Sequence, residues 1–299
     1  MTYHTYQKAI TTQSTKSVPV KATPPCGFNF ATGIASFLFL FWTSISFAID
    51  NQGYCQTALE GPGLPKSSSK WIDIQCRDAM ALSFDEHRKV PNWVQHSISI
   101  DSITGKANRK HIGFKRDIFL KNSPAPTDYT RSGYDRGHLA PAADFKSNQD
   151  HMSQSFWMSN IAPQVGHGFN RNIWRLLEEY LRQRVRQKNA QATIITGTLF
   201  DQDQPLKIIG EAKIAVPNYF YKIYLNPEKQ VALAFLMANK SHSLVKAPQT
   251  LARFKDFQVS IDQLEELTGL DFFCNLPDDL EKRLEANIHQ EKDDDIVGP

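Results

Sequence analysis

The segment of residues 134–141, YDRGHLAP, places a cation, a residue without a side chain and a base next to one another. The guanidinium of Arg136 can donate several hydrogen bonds to phosphate oxygens. Gly137 lets the backbone approach a ligand closely, and His138 can take a proton from water near neutral pH. These residue types could hydrolyse a phosphodiester bond. The motif alone is weak evidence, because a lone histidine is more often structural.

A second group of polar residues follows in the chain. Pro163, Gly166 and Gly168 predict a loop after Asn160, and a helix is expected to begin near Asn170. Apolar residues then recur at helical spacing: Ile173, Leu176, Leu177, Tyr180, Leu181 and Val185. The helix would carry its polar residues on the remaining positions.

One face of this helix is expected to carry Asn170, Trp174, Glu178 and Arg182, which are four residues apart. Asn170 and Glu178 are separated by about 12 Å along the helix axis, so both cannot easily bind one ion directly. Glu178 would lean toward the helix start and could reach a metal through bound water. Magnesium tolerates this arrangement because it keeps several of its waters. Trp174 is expected in the core.

These segments resemble the DNA/RNA non-specific endonucleases of the ββα-metal (His-Me finger) class, which include endonuclease G. The matching segments are residues 132–140 (SGYDRGHLA) and 159–164 (SNIAPQ), then Asn170, Trp174 and Glu178. Weaker matches are residues 196–200, 216–217 and 268–273. The resemblance extends over roughly residues 70–276 in the order of the family.

The resemblance implies a role for each matching residue. His138 would be the general base that activates water, and Arg136 would contact the scissile phosphate. Asn170 would be the one direct protein ligand of a magnesium ion, with manganese as the alternative. Glu178 would hold the water shell of the metal, and Asn160 would support the site.

Two further basic residues are expected to contact phosphate. Arg182 lies one helical turn beyond Glu178, and the family also uses an upstream arginine. Arg109 is the best candidate for that arginine, with Lys110 or Arg116 as alternatives. The run of residues 106–116 has five basic residues and no acid, which is typical of a surface that meets a polyanion.

The expected function is magnesium-dependent, sugar-non-specific cleavage of DNA and RNA, leaving 5′ phosphates. The alternative is a non-catalytic nucleic-acid-binding protein that retains the same fold. The sequence does not decide whether the chain is a homodimer or whether a protein inhibitor binds it.

The resemblance and the strand pattern together predict an α+β domain, with a central antiparallel sheet flanked by helices. Short β-rich runs predict strands near Trp93 and over residues 192–196, 208–216, 219–225 and 231–237. A helix is expected over residues 261–267, with Ser260 as its cap.

The chain divides into three parts. Residues 1–48 have three lysines and no acid, and end in an apolar run followed by Ser46, Phe47 and Ala48. This pattern predicts a cleaved signal peptide and a secreted or periplasmic protein; the alternative is an uncleaved membrane anchor. A mitochondrial presequence is disfavoured because the segment has no arginine. Residues 49–277 would form the nuclease domain, and residues 278–299 a helix-prone, solvated acidic tail that ends in disorder.

Cysteine spacing predicts one disulfide bond. Cys55 and Cys76 flank a segment rich in glycine, proline and serine, and an exported protein would favour their pairing. Pairing of Cys274 with either of them remains open, and Cys26 lies before the expected cleavage point.

Overall fold

A computed structural model of the 299-residue chain describes residues 53–67, 73–243 and 251–288. The predicted signal or anchor segment, Cys26 and residues 289–299 of the acidic tail lie outside the described residues. Within the described ranges, no helix combines the length and the apolar character needed to cross a bilayer.

A seven-stranded antiparallel sheet forms the centre of the domain, as predicted, with strand order β1-β2-β3-β6-β9-β10-β11. Strands β4 and β5 pair separately as a two-stranded ribbon, and β7 and β8 form a short hairpin. The strands are β1 (Ile74–Cys76), β2 (Ala81–Asp85), β3 (Val90–Ile98), β4 (Tyr134–His138), β5 (Ile161–Val165), β6 (Ala192–Leu199), β7 (Ile208–Ile209), β8 (Ile214–Ala215), β9 (Tyr219–Asn226), β10 (Val231–Ala238) and β11 (Gln258–Val259).

Helices flank this sheet. They are α1 (Gly53–Glu60), α2 (Ile100–Ile103), α3 (Gln149–Gln154), α4 (Arg175–Lys188), α5 (Leu251–Phe254), α6 (Ile261–Thr268) and α7 (Asp278–Glu285). Wide π-type turns over Gly166–Trp174 lead directly into α4. Single 3-10 turns occur at Pro126–Tyr129, Ala142–Asp144, Met158–Asn160 and Lys255–Phe257. The predicted helix after Ser260 is confirmed, because the Ser260 side chain accepts from the backbone of Gln263 in a capping box.

The two faces of the sheet bury different parts of the chain. Successive side chains of a strand point to opposite faces, and adjacent residues of β9 show this clearly. The ring of Phe220 lies 5.8 Å from Trp174, beside α4. The ring of Tyr221 instead lies 5.8 Å from Phe272, in the segment between α6 and α7. Helices α4 and α6 therefore pack on opposite faces of the sheet.

Three expectations about secondary structure need correction. Residues 208–216 form two short strands rather than one, since Gly210 and Lys213 take positive φ values of 66° and 57° and turn the chain back. Residues 161–165 form strand β5 rather than a loop. Pro163 is tolerated there because the ribbon has only two strands. Residues 278–285 form α7, as expected of a helix-prone tail, but Leu284 and Glu285 are buried, so this part of the tail is not wholly solvated.

The predicted pairing of Cys55 with Cys76 is confirmed, and it links α1 to β1. The two Cα atoms are 5.6 Å apart and the residues are 21 positions apart in the chain. Cys274 is a buried thiol outside this disulfide, so neither alternative pairing occurs.

We expect Cys76→Ala to lower the free energy of unfolding by about 3 kcal/mol, because a closed loop of this length restricts the unfolded chain by about that amount. Cys55→Ala should cost a similar amount, and the double variant little more than either single one, since each removes the same crosslink. Denaturant unfolding of the disulfide-bonded wild type and of the three variants measures these differences in free energy. Strictly additive losses would show that the two side chains contribute mainly through packing instead.

Candidate active site

His138 stands at the end of β4 with its ring between two aromatic side chains. The ring centroids lie 5.3 Å from Phe114 and 4.8 Å from Phe156. Nε2 is buried and has no hydrogen-bond partner among the described residues. Burial, and after it the positive charge of Arg109, lower the pKa of His138 to about 3. The imidazole is therefore held neutral, and the neutral form is the one that can accept a proton.

Two arginines lie beside the same aromatic pair. The guanidinium carbon of Arg136 lies 5.1 Å from the centre of the Phe114 ring. That of Arg109 lies 5.4 Å from the centre of the Phe156 ring. The structure thus brings His138 together with both predicted phosphate-contacting arginines.

The basic run of residues 106–116 is largely exposed, but its members differ in what they contact. Arg116 donates to the Ser123 carbonyl at 2.7 Å, and Lys115 lies over the Trp157 ring at 5.4 Å. Lys110 is exposed, whereas the charge of Arg109 acts on His138. This placement favours Arg109 over the two alternatives for the upstream arginine.

Asp135 connects the start of β4 to the start of the helical segment. Its Oδ2 accepts hydrogen bonds from Asn170 Nδ2 at 2.8 Å and from Arg171 Nε at 2.8 Å. The hydrogen bond from Arg171 lowers the pKa of Asp135, against the opposing effect of burial. Asp135 thus orients Asn170.

The strand motif requires glycine at position 137. A Cβ atom there would lie 2.1 Å from the Gln164 side chain, which crosses the ribbon at this point. Gln164 is fully buried, and neither polar atom of its amide has a hydrogen-bond partner in the described structure. A side chain at position 137 would therefore force the buried Gln164 side chain to move.

The start of the helix is fixed by a close backbone contact. Gly168 has a φ of 80°, and a Cβ atom there would lie 2.3 Å from Ser241 Oγ. Regular helical geometry begins after Gly168, which agrees with the predicted start near Asn170. The Asn170 amide nitrogen is bound to Asp135, while its Oδ1 accepts no hydrogen bond from the described residues.

Glu178 faces a buried group of charges behind this site. It lines a small cavity with Asp144 and Lys222. Burial raises the pKa of Glu178 to about 7, although Lys222 and Arg182 oppose the change. No hydrogen bond to its carboxylate occurs within the described ranges, so its oxygens could bind the water shell of a cation.

Lys222 contacts the chain after β4, strand β6 and the ring of Trp174. From the middle of β9 it donates to the Leu139 carbonyl at 3.2 Å and to Thr196 Oγ1 at 2.6 Å. Its ammonium also lies 5.0 Å from the centre of the Trp174 ring. Burial lowers the pKa of Lys222, and the charge of Glu178 opposes that change.

Arg182 differs from its expected role as a phosphate contact. It is 5% exposed, and donates to Asp144 Oδ1 at 2.8 Å and to Glu179 Oε2 at 3.0 Å. The other Asp144 oxygen accepts from His96 Nε2 at 2.8 Å. Because its guanidinium is bound to the buried carboxylate of Asp144 and to the partly buried one of Glu179, Arg182 supports the helix rather than the substrate.

Asn160 holds the backbone next to the motif. Its Oδ1 accepts from Ala140 N at 2.9 Å, and its Nδ2 donates to the carbonyls of Ala140 and Ser155 at 2.9 and 2.8 Å. The side chain is fully buried. It fixes the chain just after His138, which agrees with the supporting role expected for it.

Sequence reasoning missed Lys222, Asp144 and His96. Lys222 gave a usable signal, because it is the one charged residue in the predicted strand of residues 219–225, and a buried charge needs partners. Asp144 and His96 gave no such signal, because they are 48 positions apart in the chain and only the fold brings them into contact.

A divalent cation is compatible with these residues. The Asn170 amide is oriented by Asp135 with its oxygen left to bind, and Glu178 adds a carboxylate on α4, the helix that follows directly. Oxygen donors of this kind suit hard cations such as Mg²⁺.

The model of the DNA/RNA non-specific endonuclease family matches residues 57–279. The chain belongs to this family. It is 34% identical over 262 residues to the mitochondrial nuclease of Saccharomyces cerevisiae, covering 81% of this chain and 75% of that protein. It is 34% identical over 237 residues to human mitochondrial nuclease EXOG, covering 74% of this chain and 61% of that protein. A crystal structure of the EndoG/EndoGI complex aligns with a TM-score of 0.65 and 28% identity, over 78% of this chain and 95% of that one.

Membership of this family makes the protein a nuclease that acts on nucleic acids through a ββα-metal fold with a divalent metal. The expectation of a signal peptide and of a secreted or periplasmic location is wrong. The similar nucleases of yeast and human are mitochondrial. The apolar run and Ser46-Phe47-Ala48 predict export, and the absence of arginine disfavours a mitochondrial presequence, but the relatives contradict the predicted location.

We expect Arg109→Ala to raise the pKa of His138 from about 3 toward its usual value, because removal of a nearby positive charge makes the imidazolium less unfavourable. Lys110→Ala is the matched control, since it removes an adjacent exposed charge. A histidine NMR titration of the metal-free nuclease measures both. Equal shifts in the two variants would contradict a specific effect of Arg109.

We expect Arg182→Ala to lower the free energy of unfolding by about 3–5 kcal/mol, because Asp144 would be left as a buried charge without its main cation. Arg186→Ala should cost less than about 1 kcal/mol, although Arg186 also pairs with Glu179, at 2.9 Å. The side chain of Arg186 is 42% exposed. Urea unfolding at neutral pH measures the difference, and equal costs would rule out a supporting role for the buried pair.

Proposed function

We propose that this nuclease hydrolyses phosphodiester bonds in DNA and RNA with His138 as the general base, Mg²⁺ as the metal and 5′ phosphates as the products. The observation that carries the proposal is the neutral imidazole of His138, held between Phe114 and Phe156 with two arginines beside it. A base needs this protonation state, and a phosphate substrate needs these cations.

The reaction begins when a water molecule attacks phosphorus in line with the leaving oxygen. His138 takes the proton of that water, so that the attacking oxygen arrives as hydroxide. Arg136 and Arg109 neutralise charge on the non-bridging oxygens as the new P–O bond forms. The bond to the 3′ oxygen breaks, which leaves the phosphate on the 5′ side.

Asn170 and Glu178 would hold the metal, Asn170 through its amide oxygen and Glu178 through bound water. When bound, the metal stabilises negative charge on the phosphate and on the leaving oxygen. Asp135 keeps the Asn170 amide in one orientation, and Lys222 fixes the chain that follows His138. Asn160 holds the chain that follows the motif.

The absence of sequence preference follows from the same residues. Arginine contacts to phosphate carry no direct sequence information.

The yeast and human relatives further support a mitochondrial location for this protein. The EndoG/EndoGI complex supports control by a protein inhibitor.

We expect His138→Ala to lower the cleavage rate by about 10²–10⁴-fold while nucleic-acid binding persists, because only the base is lost. Asn170→Ala should instead raise the Mg²⁺ concentration needed for cleavage, and Arg136→Ala should weaken both binding and turnover. Plasmid nicking and binding affinity across a Mg²⁺ titration, with a chelator control and end-group analysis, separate the three effects.

Wild-type cleavage that persists in chelator would contradict the metal requirement. A His138→Ala variant that cleaves at the wild-type rate would show that another group is the base. Binding without any cleavage by the wild-type protein would favour the non-catalytic alternative.

A further inference from the structure

A group of carboxylates lies on the face of the sheet opposite His138. Asp262 and Glu265 are three positions apart on α6 and therefore share one face of that helix. Glu285 comes from the last turn of α7. One carboxylate oxygen from each of the three lies within 4.8 Å of the other two.

Glu285 is the residue that makes this group unusual. It is 8% exposed, and its buried Oε1 has no hydrogen-bond partner among the described residues. It also lies at the end of α7, where the helix dipole disfavours negative charge. A buried carboxylate in this position is strongly unfavourable unless a cation or a proton compensates it.

The surroundings add negative charge rather than compensate it. Burial, followed by the charges of Glu265 and Glu281, raises the pKa of Glu285 to about 9. Burial likewise raises the pKa of Glu265 to about 7. The positive charge of Lys66 acts on Asp271 and Glu281, whereas the largest charge effects on Glu285 come from the carboxylates of Glu265, Glu281, Asp262 and Asp271.

We propose that Asp262, Glu265 and Glu285 form a binding site for a hard divalent cation, and that Ca²⁺ is the ion that fits best. Ca²⁺ takes oxygen ligands at about 2.3–2.6 Å. Oxygens bound to the same ion at about 2.4 Å lie at most about 4.8 Å apart, and the three carboxylate oxygens meet this requirement. Asp262 is exposed and gives the ion a path from solvent.

The site would join the two helices that cover this face of the sheet. Glu265 Oε1 already accepts from the Phe272 backbone at 2.9 Å, and the Phe272 ring packs on Tyr221. A bound ion would add a link from Glu265 to Glu285 and so hold α7 against α6. Its effect would be on stability rather than on the nuclease reaction, since His138 lies across the sheet.

The test compares the thermal unfolding of the full chain, Glu285→Gln and Glu281→Gln, each in Ca²⁺, in Mg²⁺ and in chelator. Glu281 is the matched control because it lies on the same helix but outside the group of three. An ion bound at Asn170 and Glu178 would stabilise all three proteins equally and so cancels from the comparison.

At a Ca²⁺ concentration about 100-fold above Kd, the wild type and Glu281→Gln should gain about 5–10 °C in Tm more than Glu285→Gln does. Equilibrium dialysis should find one more Ca²⁺ bound per chain in these two proteins. In chelator, Glu285→Gln should be at least as stable as the wild type, because the amide removes a repelled charge. Equal Ca²⁺-dependent gains in all three proteins would overturn the proposal, and so would a wild-type Tm that rises only on acidification.

Discussion

The arrangement of this nuclease depends on the contacts that the buried ammonium of Lys222 makes. A buried charge of this kind is tolerated only where several polar groups surround it. Here those groups come from three parts of the chain: the Leu139 carbonyl after β4, the Thr196 hydroxyl on β6 and the Glu178 carboxylate on α4. Because each would lose a partner if the others moved, the ribbon, the sheet and the helix keep one relative position.

The site combines two environments that shift pKa values in opposite directions. On the aromatic side, burial and Arg109 keep His138 neutral. On the side of α4, burial raises the pKa of Glu178 toward neutrality, although Lys222 and Arg182 oppose the change. Pairs of titratable groups whose environments separate their pKa values are characteristic of acid–base and metal-assisted chemistry. The Asp135–Asn170 hydrogen bond crosses between the two sides, which places a polar ligand next to the motif.

Local sequence signals predicted much of this architecture. The central sheet strands, the capped helix after Ser260 and the helix near Asn170 followed from periodicity and from cap chemistry. Interactions between distant segments were not predictable in this way. The turn at Gly210 divided an apparently continuous strand, and Arg182 turned inward because Asp144 lies buried opposite it. The prediction of the protein's location failed for another reason. A targeting segment is recognised by a receptor, and the packing of the folded domain does not constrain its sequence.

Gly168 determines how accurately Asn170 is placed, although it touches neither metal nor substrate. Its backbone packs against Ser241 and His242 with no room for a methyl group, and the helix begins immediately afterwards. Even alanine would meet Ser241 and the backbone of His242 and force the chain to shift, two residues before Asn170. The placement of Asn170 therefore does not tolerate one additional carbon atom at position 168. The residue that sets this limit, Gly168, has no reactive group of its own.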